Sequence, residues 1–352
     1  DTRLERCLKE PREAKSDEAY ITFLTGNQEG YLTGVLALNH SLTTTGSTRP
    51  LVVIHISDVP EEELAYLHQA GIKTIPITSL PNPNCHGGKN RPCKRGRDNY
   101  SKLNIFGLTQ YRTLVFLDSD MTVRSNIDEL FCFDTFAVSK IFNCFPPTDK
   151  TCQNLNSGIM VIKPDTELFA DIMQKYPTTY SYNSGDQGFL TTYFADKPKS
   201  YINNRVYNVK IKIKDNKPCT PDIVTALQDP TAASNVAKVV HFMDDVKPWV
   251  HFIAKDAHRV VKQENGQNST KCFAHAINAW KRHYLASLGS VDGLKEYLLR
   301  QHRLREKTKA TETLQQREQQ KAQSFSNTTS GMPPHLRAVP RFSRERLRGG
   351  GG

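Results

Sequence analysis

The chain has 352 residues, 38% hydrophobic and 24% charged, which suffices for one large core with appendages or two small ones and excludes a chain too polar to fold. No apolar run approaches the ~20 residues that span a bilayer, and the start at Asp1, without an initiator Met, is compatible with a processed chain or a fragment. Net charge is +11, but from Val291 onward 13 Lys/Arg face 6 Asp/Glu, so the tail carries +7 and the remainder only about +4, ordinary for an enzyme that handles anions.

Residues up to Glu18 are polar and read as a lead-in. "AYITFLT", Ala19 to Thr25, is rich in β-branched and aromatic residues and predicts a buried strand, which "GNQEG" then breaks. From Tyr31, the apolar Val35, Leu36, Leu38 and Leu42 share one helical face. "LVVIHIS", Leu51 to Ser57, predicts a second strand. Asp58 stands where it can cap a helix with Pro60 near its start, Glu61 to Glu63 in its first turn and Gly71 at its end; a third strand starts at Ile72. Alternation of strand and helix implies a mainly parallel sheet covered by helices, and such sheets bind ligands beyond the carboxyl ends of their strands. A Pro/Asn/Gly/Cys-rich loop from Ser79 to Arg97 could fold over that edge, and a helix from about Asn99 to Thr109 follows.

"TLVFLDSDMTV", Thr113 to Val123, is an apolar run that delivers Asp118 and Asp120 at its end. Charge near a core is costly unless paired or holding a metal, so the triplet is either a surface turn or the floor of a cation site. After a fourth strand, Thr113 to Leu117, strand alternation would point both carboxylates one way and Ser119 the other, which suits a hard divalent ion. "NLNSGIMVIKP" sets Asn156, Ser157 and Gly158 ahead of a strand from Ile159 to Ile162, either as an ordinary turn or as a place where a ligand nears the backbone. "SGDQGFLTTYF" starts a helix at Asp186 and Gln187, with Asp186 as a plain cap or as a carboxylate presented to a ligand. "VVHFMDDVKPW" ends a short strand at His241 and continues to Lys247, Pro248 and Trp249; Asp244 and Asp245 read as loop residues. A histidine there can complete a cation's ligand set and a lysine can neutralise a phosphate.

Downstream, Thr270 to Leu288 predicts a helix with Phe273, Trp280 and Tyr284, and Leu294 to about Ala322 a Gln/Lys/Arg/Glu-rich helix with a poor apolar stripe. The ending reads as disordered. The resulting division is a lead-in (1–18), an α/β domain (19–289) and a basic tail (290–352) that is solvated or contacts an anionic surface. The eight cysteines contain no CxxC pair, which argues against structural zinc; the even count suits disulfides without fixing a compartment. Secretory lumen, Golgi and cytoplasm all stay open, and N-x-S/T triplets begin at Asn39, Asn268 and Asn327.

The segments "FLTGN…Y" (Phe23 to Tyr31), "YSKLNIF", "LDSDM", "SNIDELF", "NSGIMV", "DQGFL" and "HF…KPW", in this order, resemble glycosyltransferase family eight, the glycogenin and galactinol synthase family. The resemblance covers roughly Ala19 to Trp249 and implies a GT-A type α/β/α sandwich, a UDP-sugar donor, and Mn²⁺ with Mg²⁺ as the alternative. By resemblance, Leu24, Asn27 and Tyr31 would hold the uridine and Lys102 would face the nucleotide-sugar. Asp118, Asp120 and His241 would bind the metal. Asn156, Gly158, Asp186 and Gln187 would line the reaction centre, and Lys247 would hold the diphosphate. The implied reaction moves a hexose, glucose or galactose favoured, to a sugar, polyol or glycan hydroxyl with retention of configuration, with no nucleic-acid partner. Two departures qualify this. Asp244 stands where glycogenin has a glycine, and the run from Tyr207 lacks the later tyrosine of a self-glucosylating protein, so a separate acceptor is expected. The competing reading is an inactive nucleotide-sugar-fold module acting through partners.

Overall fold

A computed structural model describes residues 15–26, 30–85, 97–141, 154–211, 236–243, 247–249 and 272–330, with Cys7, Glu13, Ile223 and Thr225 singly. Asn27, Asp244, Asp245, Cys93 and the Gly-rich ending lie outside the described residues. The chain divides into two compact units, Asp1–Lys295 and Glu296–Gly352.

The first unit is built on a seven-stranded sheet of order β3-β2-β1-β4-β7-β6-β8. Its strands are β1 (Glu18–Leu24), β2 (Leu51–His55), β3 (Lys73–Pro76), β4 (Thr113–Leu117), β6 (Ala137–Lys140), β7 (Leu155–Ile162) and β8 (Ser200–Ile202). Neighbours β3 to β4 all run parallel, as do β6 and β8; only β7 opposes its neighbours. The mainly parallel α/β sandwich expected from the sequence is the one observed. Strands β2 and β4 are buried at every position, which is why they read as continuous apolar runs rather than as alternation.

Helices α1 (Tyr31–Thr44) and α2 (Glu61–Gln69) form the first crossovers, and a 3₁₀ segment, Asn99–Gly107, leads into β4. α3 (Thr166–Lys175) packs near that segment, and α4 (Asp186–Tyr193) lies beside β7. Phe106, Phe116, Phe136, Phe189 and Phe194 share the core beneath them. A second, three-stranded sheet orders β5 (Met121–Val123), β10 (Val239–Phe242) and β9 (Val209–Ile211) as β5-β10-β9, and α5 (Asn204–Tyr207) precedes β9. α6 (Cys272–Ser290) lies along α1, where the Ser287 hydroxyl donates to the Leu36 carbonyl at 3.1 Å. α7 runs from Leu294 to Ser330, with Leu299, Leu304 and Leu314 exposed along it. Cys7 is joined to Cys132, and Cys85 is also disulfide-bonded.

Three local expectations need correction. Asp58 does not cap α2, whose N-cap is Pro60; its carboxylate accepts the Gly26 backbone N–H at 2.9 Å, a contact that only the folded chain supplies. The segment from Asn99 winds as 3₁₀ and stops at Gly107. Asn156 to Gly158 are not a turn ahead of a strand but part of β7, paired with β6 across a register shift between Val138 and Ser139.

Candidate active site

β4 ends at Leu117, and residues 118–120 form a tight turn closed by the Met121 N–H donating to the Asp118 carbonyl at 3.1 Å. The chain then enters β5 and the smaller sheet. The two carboxylates therefore meet through a turn and not through strand alternation, as the sequence had suggested. In the smaller sheet Met121 pairs with His241 across the antiparallel β5–β10 ladder. That register sets His241 Nε2 3.2 Å from Asp120 Oδ1 and 3.8 Å from Asp118 Oδ2.

The tautomer of His241 follows from its neighbours. Asn208 donates from Nδ2 to Ser139 Oγ at 2.6 Å and to Asn156 Oδ1 at 2.7 Å, which turns its own Oδ1 toward His241 Nδ1 at 2.9 Å. Nδ1 is thereby the donor, and Nε2 keeps its lone pair toward the carboxylates. Each carboxylate is divided in the same manner. Asp118 Oδ1 accepts from Lys102 Nζ at 3.0 Å and Asp120 Oδ2 from Lys247 Nζ at 2.6 Å, which leaves Asp118 Oδ2 and Asp120 Oδ1 facing the imidazole. Asp120 Oδ1 is buried with no hydrogen bond of its own.

Among the described residues, Asp118, Asp120 and His241 offer three ligand atoms within 4.8 Å of one another. Two hard oxygens and an imidazole nitrogen fit a divalent ion of the Mn²⁺ or Mg²⁺ kind. Gly158 keeps the cradle open: a Cβ there would lie 2.6 Å from His241 Cε1 and 2.9 Å from Asp118 Oδ2. Its small size thus makes room for the triad.

Electrostatics sort the two carboxylates. Burial raises the Asp118 pKa, with Lys102 only partly opposing it. Burial acts the same way on Asp120, but Lys247 and, whenever its Nε2 also carries a proton, His241 overcome it and hold its carboxyl well below the usual range. Lys102 is buried, which works against its charge, yet Asp118 and Asp186 raise its pKa and keep it an ammonium. Its Nζ is 3.2 Å from Asp186 Oδ2, so one lysine bridges the β4 turn and the start of α4.

Asp186 is the first residue of α4, whose N-cap is Gly185, and it does not cap the helix. It accepts from Ser157 Oγ at 2.7 Å and from Asn99 Nδ2 at 3.2 Å. Gln187 is held at both ends: Oε1 accepts from Asn156 Nδ2 at 2.9 Å, and Nε2 donates to the Tyr182 hydroxyl at 2.7 Å. Asn156, Gly158, Asp186, Gln187, Lys102, Lys247 and the triad are thus one connected cluster.

Beside it opens a cleft of about 470 Å³ lined by Phe23, Thr25, Tyr31, Arg97, Asp98, Asn99, Lys102 and the 118–120 turn. Tyr31 sits edge-on to Trp249 with ring centroids 4.8 Å apart. Gly30, at φ +76°, lets the chain pass so close that a Cβ would fall 2.2 Å from Trp249 Cδ1. The Leu24 side chain is 1% exposed in the core, and strand alternation turns its neighbours Phe23 and Thr25 to the cleft. Sequence reasoning also missed Arg97, Asn99, Tyr182 and Asn208. Asn99 directly precedes the "YSKLNIF" segment and Asn208 completes a "YN" pair; Arg97 and Tyr182 stand in loops with no periodic signal.

The chain is similar to several known proteins. Over 187 residues the chain is 37% identical to inositol phosphorylceramide glucuronosyltransferase 1 of Arabidopsis thaliana, covering 53% of this chain and 32% of that protein. A xylan α-glucuronosyltransferase of the same plant, number 5 and itself named putative, is 35% identical over 50% of this chain and 29% of its own length. The chain spans about a third of the length of these relatives. Mouse glycogenin-1 is 27% identical over 82% of this chain and 83% of its own. Among solved structures, the galactosyltransferase LgtC with donor and acceptor sugar analogues is 14% identical with a TM-score of 0.49, covering 79% of this chain and 97% of that one. The family model described as Glycosyl transferase family 8 matches residues 22–252, a span that holds every residue of the cluster from the β4 turn to Lys247, and the chain belongs to that family.

Proposed function

We propose that this protein transfers a hexosyl group from a UDP-sugar to the hydroxyl of a separate acceptor, a sugar, polyol or glycan, with retention of configuration and dependence on a divalent ion. The observation that carries this reading is the meeting of Asp118, Asp120 and His241 with two lysines at the mouth of a cleft on the carboxyl edge of a parallel sheet. Asp118, Asp120 and His241 would hold Mn²⁺ or Mg²⁺, which when bound stabilises negative charge on the departing diphosphate. Lys247 adds a second positive charge for that group, released from Asp120 as the phosphate arrives. Tyr31, Asn27 and the backbone around Leu24 take the uridine. Asp186 and Gln187, fixed by Asn156, Ser157 and Tyr182, face the sugar, where a carboxylate or carboxamide stabilises positive charge developing on the ring.

The names of the plant relatives add UDP-glucuronate to UDP-glucose and UDP-galactose as donors to be tested. The disulfides of Cys7, Cys132 and Cys85 favour an oxidising compartment such as the secretory lumen. The deciding experiment measures UDP release from a panel of UDP-sugars with Mn²⁺ and with chelator. Metal-dependent release from one donor, lost in Asp118→Asn and Asp120→Asn, is expected. Near-normal activity in both variants refutes the metal role, and failure to bind UDP with Mn²⁺ favours the inactive module.

A further inference from the structure

Among the described residues, three cations bear on the cleft and its metal-type triad, and two of them are committed. Lys102 Nζ lies between Asp118 and Asp186, at 3.0 and 3.2 Å, and Lys247 Nζ between Asp120 Oδ2 and the Phe242 carbonyl, at 2.6 and 2.8 Å. The third is Arg97. It lines the cleft, is exposed, and among the described residues its guanidinium has no hydrogen bond or ion pair.

Its backbone, by contrast, is well held. The Arg97 carbonyl accepts the Asn82 N–H at 2.9 Å, and the buried Asn82 amide donates to Asn99 Oδ1 at 3.3 Å and to the Ser184 carbonyl at 3.0 Å. Asn99 in turn donates to Asp186 at 3.2 Å. These bonds tie the base of Arg97 to the start of α4, the side of the cluster that holds Asp186 and Gln187. The adjacent Asp98 is occupied by the Ser79 hydroxyl, which donates to it at 2.8 Å, and does not pair with the guanidinium.

On the reading of the cluster as a UDP-sugar site, the diphosphate charge is answered by the metal and Lys247. A neutral hexose brings nothing ionic for Arg97. A hexuronate differs from glucose or galactose at one carbon, where a carboxylate replaces a hydroxymethyl group, and a guanidinium binds a carboxylate through two parallel charge-assisted hydrogen bonds. We propose that Arg97 is the donor-specificity residue, that it pairs with the C6 carboxylate of a UDP-hexuronate, and that this class is the preferred donor.

Calorimetry with Mn²⁺ tests this on the full chain, using UDP, UDP-glucuronate, UDP-glucose and UDP-xylose, the last lacking C6 altogether. The wild-type protein should bind UDP-glucuronate about 10-fold to 100-fold more tightly than UDP-glucose or UDP-xylose, the range of a charged hydrogen-bonded pair. Arg97→Gln should remove that preference and Arg97→Lys restore part of it. UDP measured on each variant reports whether the nucleotide site is intact, and Arg97, being exposed, can be replaced without opening the core. UDP binding without preference for the hexuronate overturns the proposal and leaves the transferase reading standing, as does a preference that survives in Arg97→Gln. Failure of UDP itself to bind the wild-type protein overturns both.

Discussion

One hydrogen atom in place of a methyl group lets Asp118, Asn156 and His241 close around Gly158. Alanine there would need to displace His241 Cε1, Asp118 Oδ2 and Asn156 Oδ1, at 2.6, 2.9 and 3.0 Å, all tethered side chains. Gly158→Ala should therefore weaken Mn²⁺ binding by about 10-fold or more while the fold survives, which titration calorimetry and circular dichroism together would check. Asn208 acts one step further out, because its Oδ1 selects the imidazole tautomer. In Asn208→Ala the ring loses that acceptor, and metal affinity should fall by about 10-fold to 100-fold with the two carboxylates untouched. Unchanged affinity would show that packing alone, at 3% exposure of His241, holds the ring.

At the scale of elements, α6 is attached to α1 through a contact that responds to acid. His40 Nδ1 on α1 and His283 Nδ1 on α6 are 3.0 Å apart, so one ring donates and the other accepts. Burial lowers the His283 pKa to about 4, and His40, Arg282 and Arg124 add to the shift; burial lowers His40 as well. A histidine near 6.5 when unfolded and near 4 when folded takes up its proton first in the unfolded chain. Its contribution is whole above pH ~6.5 and is lost as the pH falls toward about 4. Denaturant titrations should show stability declining across that window, with a flatter profile in His283→Phe; equal slopes would remove the pair as the cause. The elements themselves were legible where burial was complete, since β2 and β4 are apolar end to end. Asp58 was misread because its partner, the Gly26 N–H, is 32 residues away, and the polar start of β7 because pairing with β6 overrides the turn preference of Asn156 and Ser157. Residue types at the site were legible; their convergence was not, because a turn and the register of a second sheet bring it about.

Over the whole molecule, charge is segregated toward the end of the chain. Beyond Leu304, ten Lys/Arg face four Asp/Glu. The described side chains of α7 between 310 and 320, with Glu312, Arg317 and Glu318 among them, are all exposed. A cationic segment of this kind gains about 1 kcal/mol per basic residue near an anionic bilayer, an attraction that salt screens. Truncation should spare Tyr297 and Leu298, which are 4% and 7% exposed, and cut after Leu304. We expect the shortened protein to release UDP from donor at the wild-type rate with a small soluble acceptor, since no residue of the cluster is removed. Its sedimentation with phosphatidylserine vesicles should fall to the level of neutral vesicles, and the full chain should lose the same binding in high salt. Equal vesicle binding by both proteins would make the tail a solvated extension. Loss of turnover with the soluble acceptor would instead tie the tail to catalysis, because recruitment to a surface changes where the site works and not its rate on a dissolved substrate.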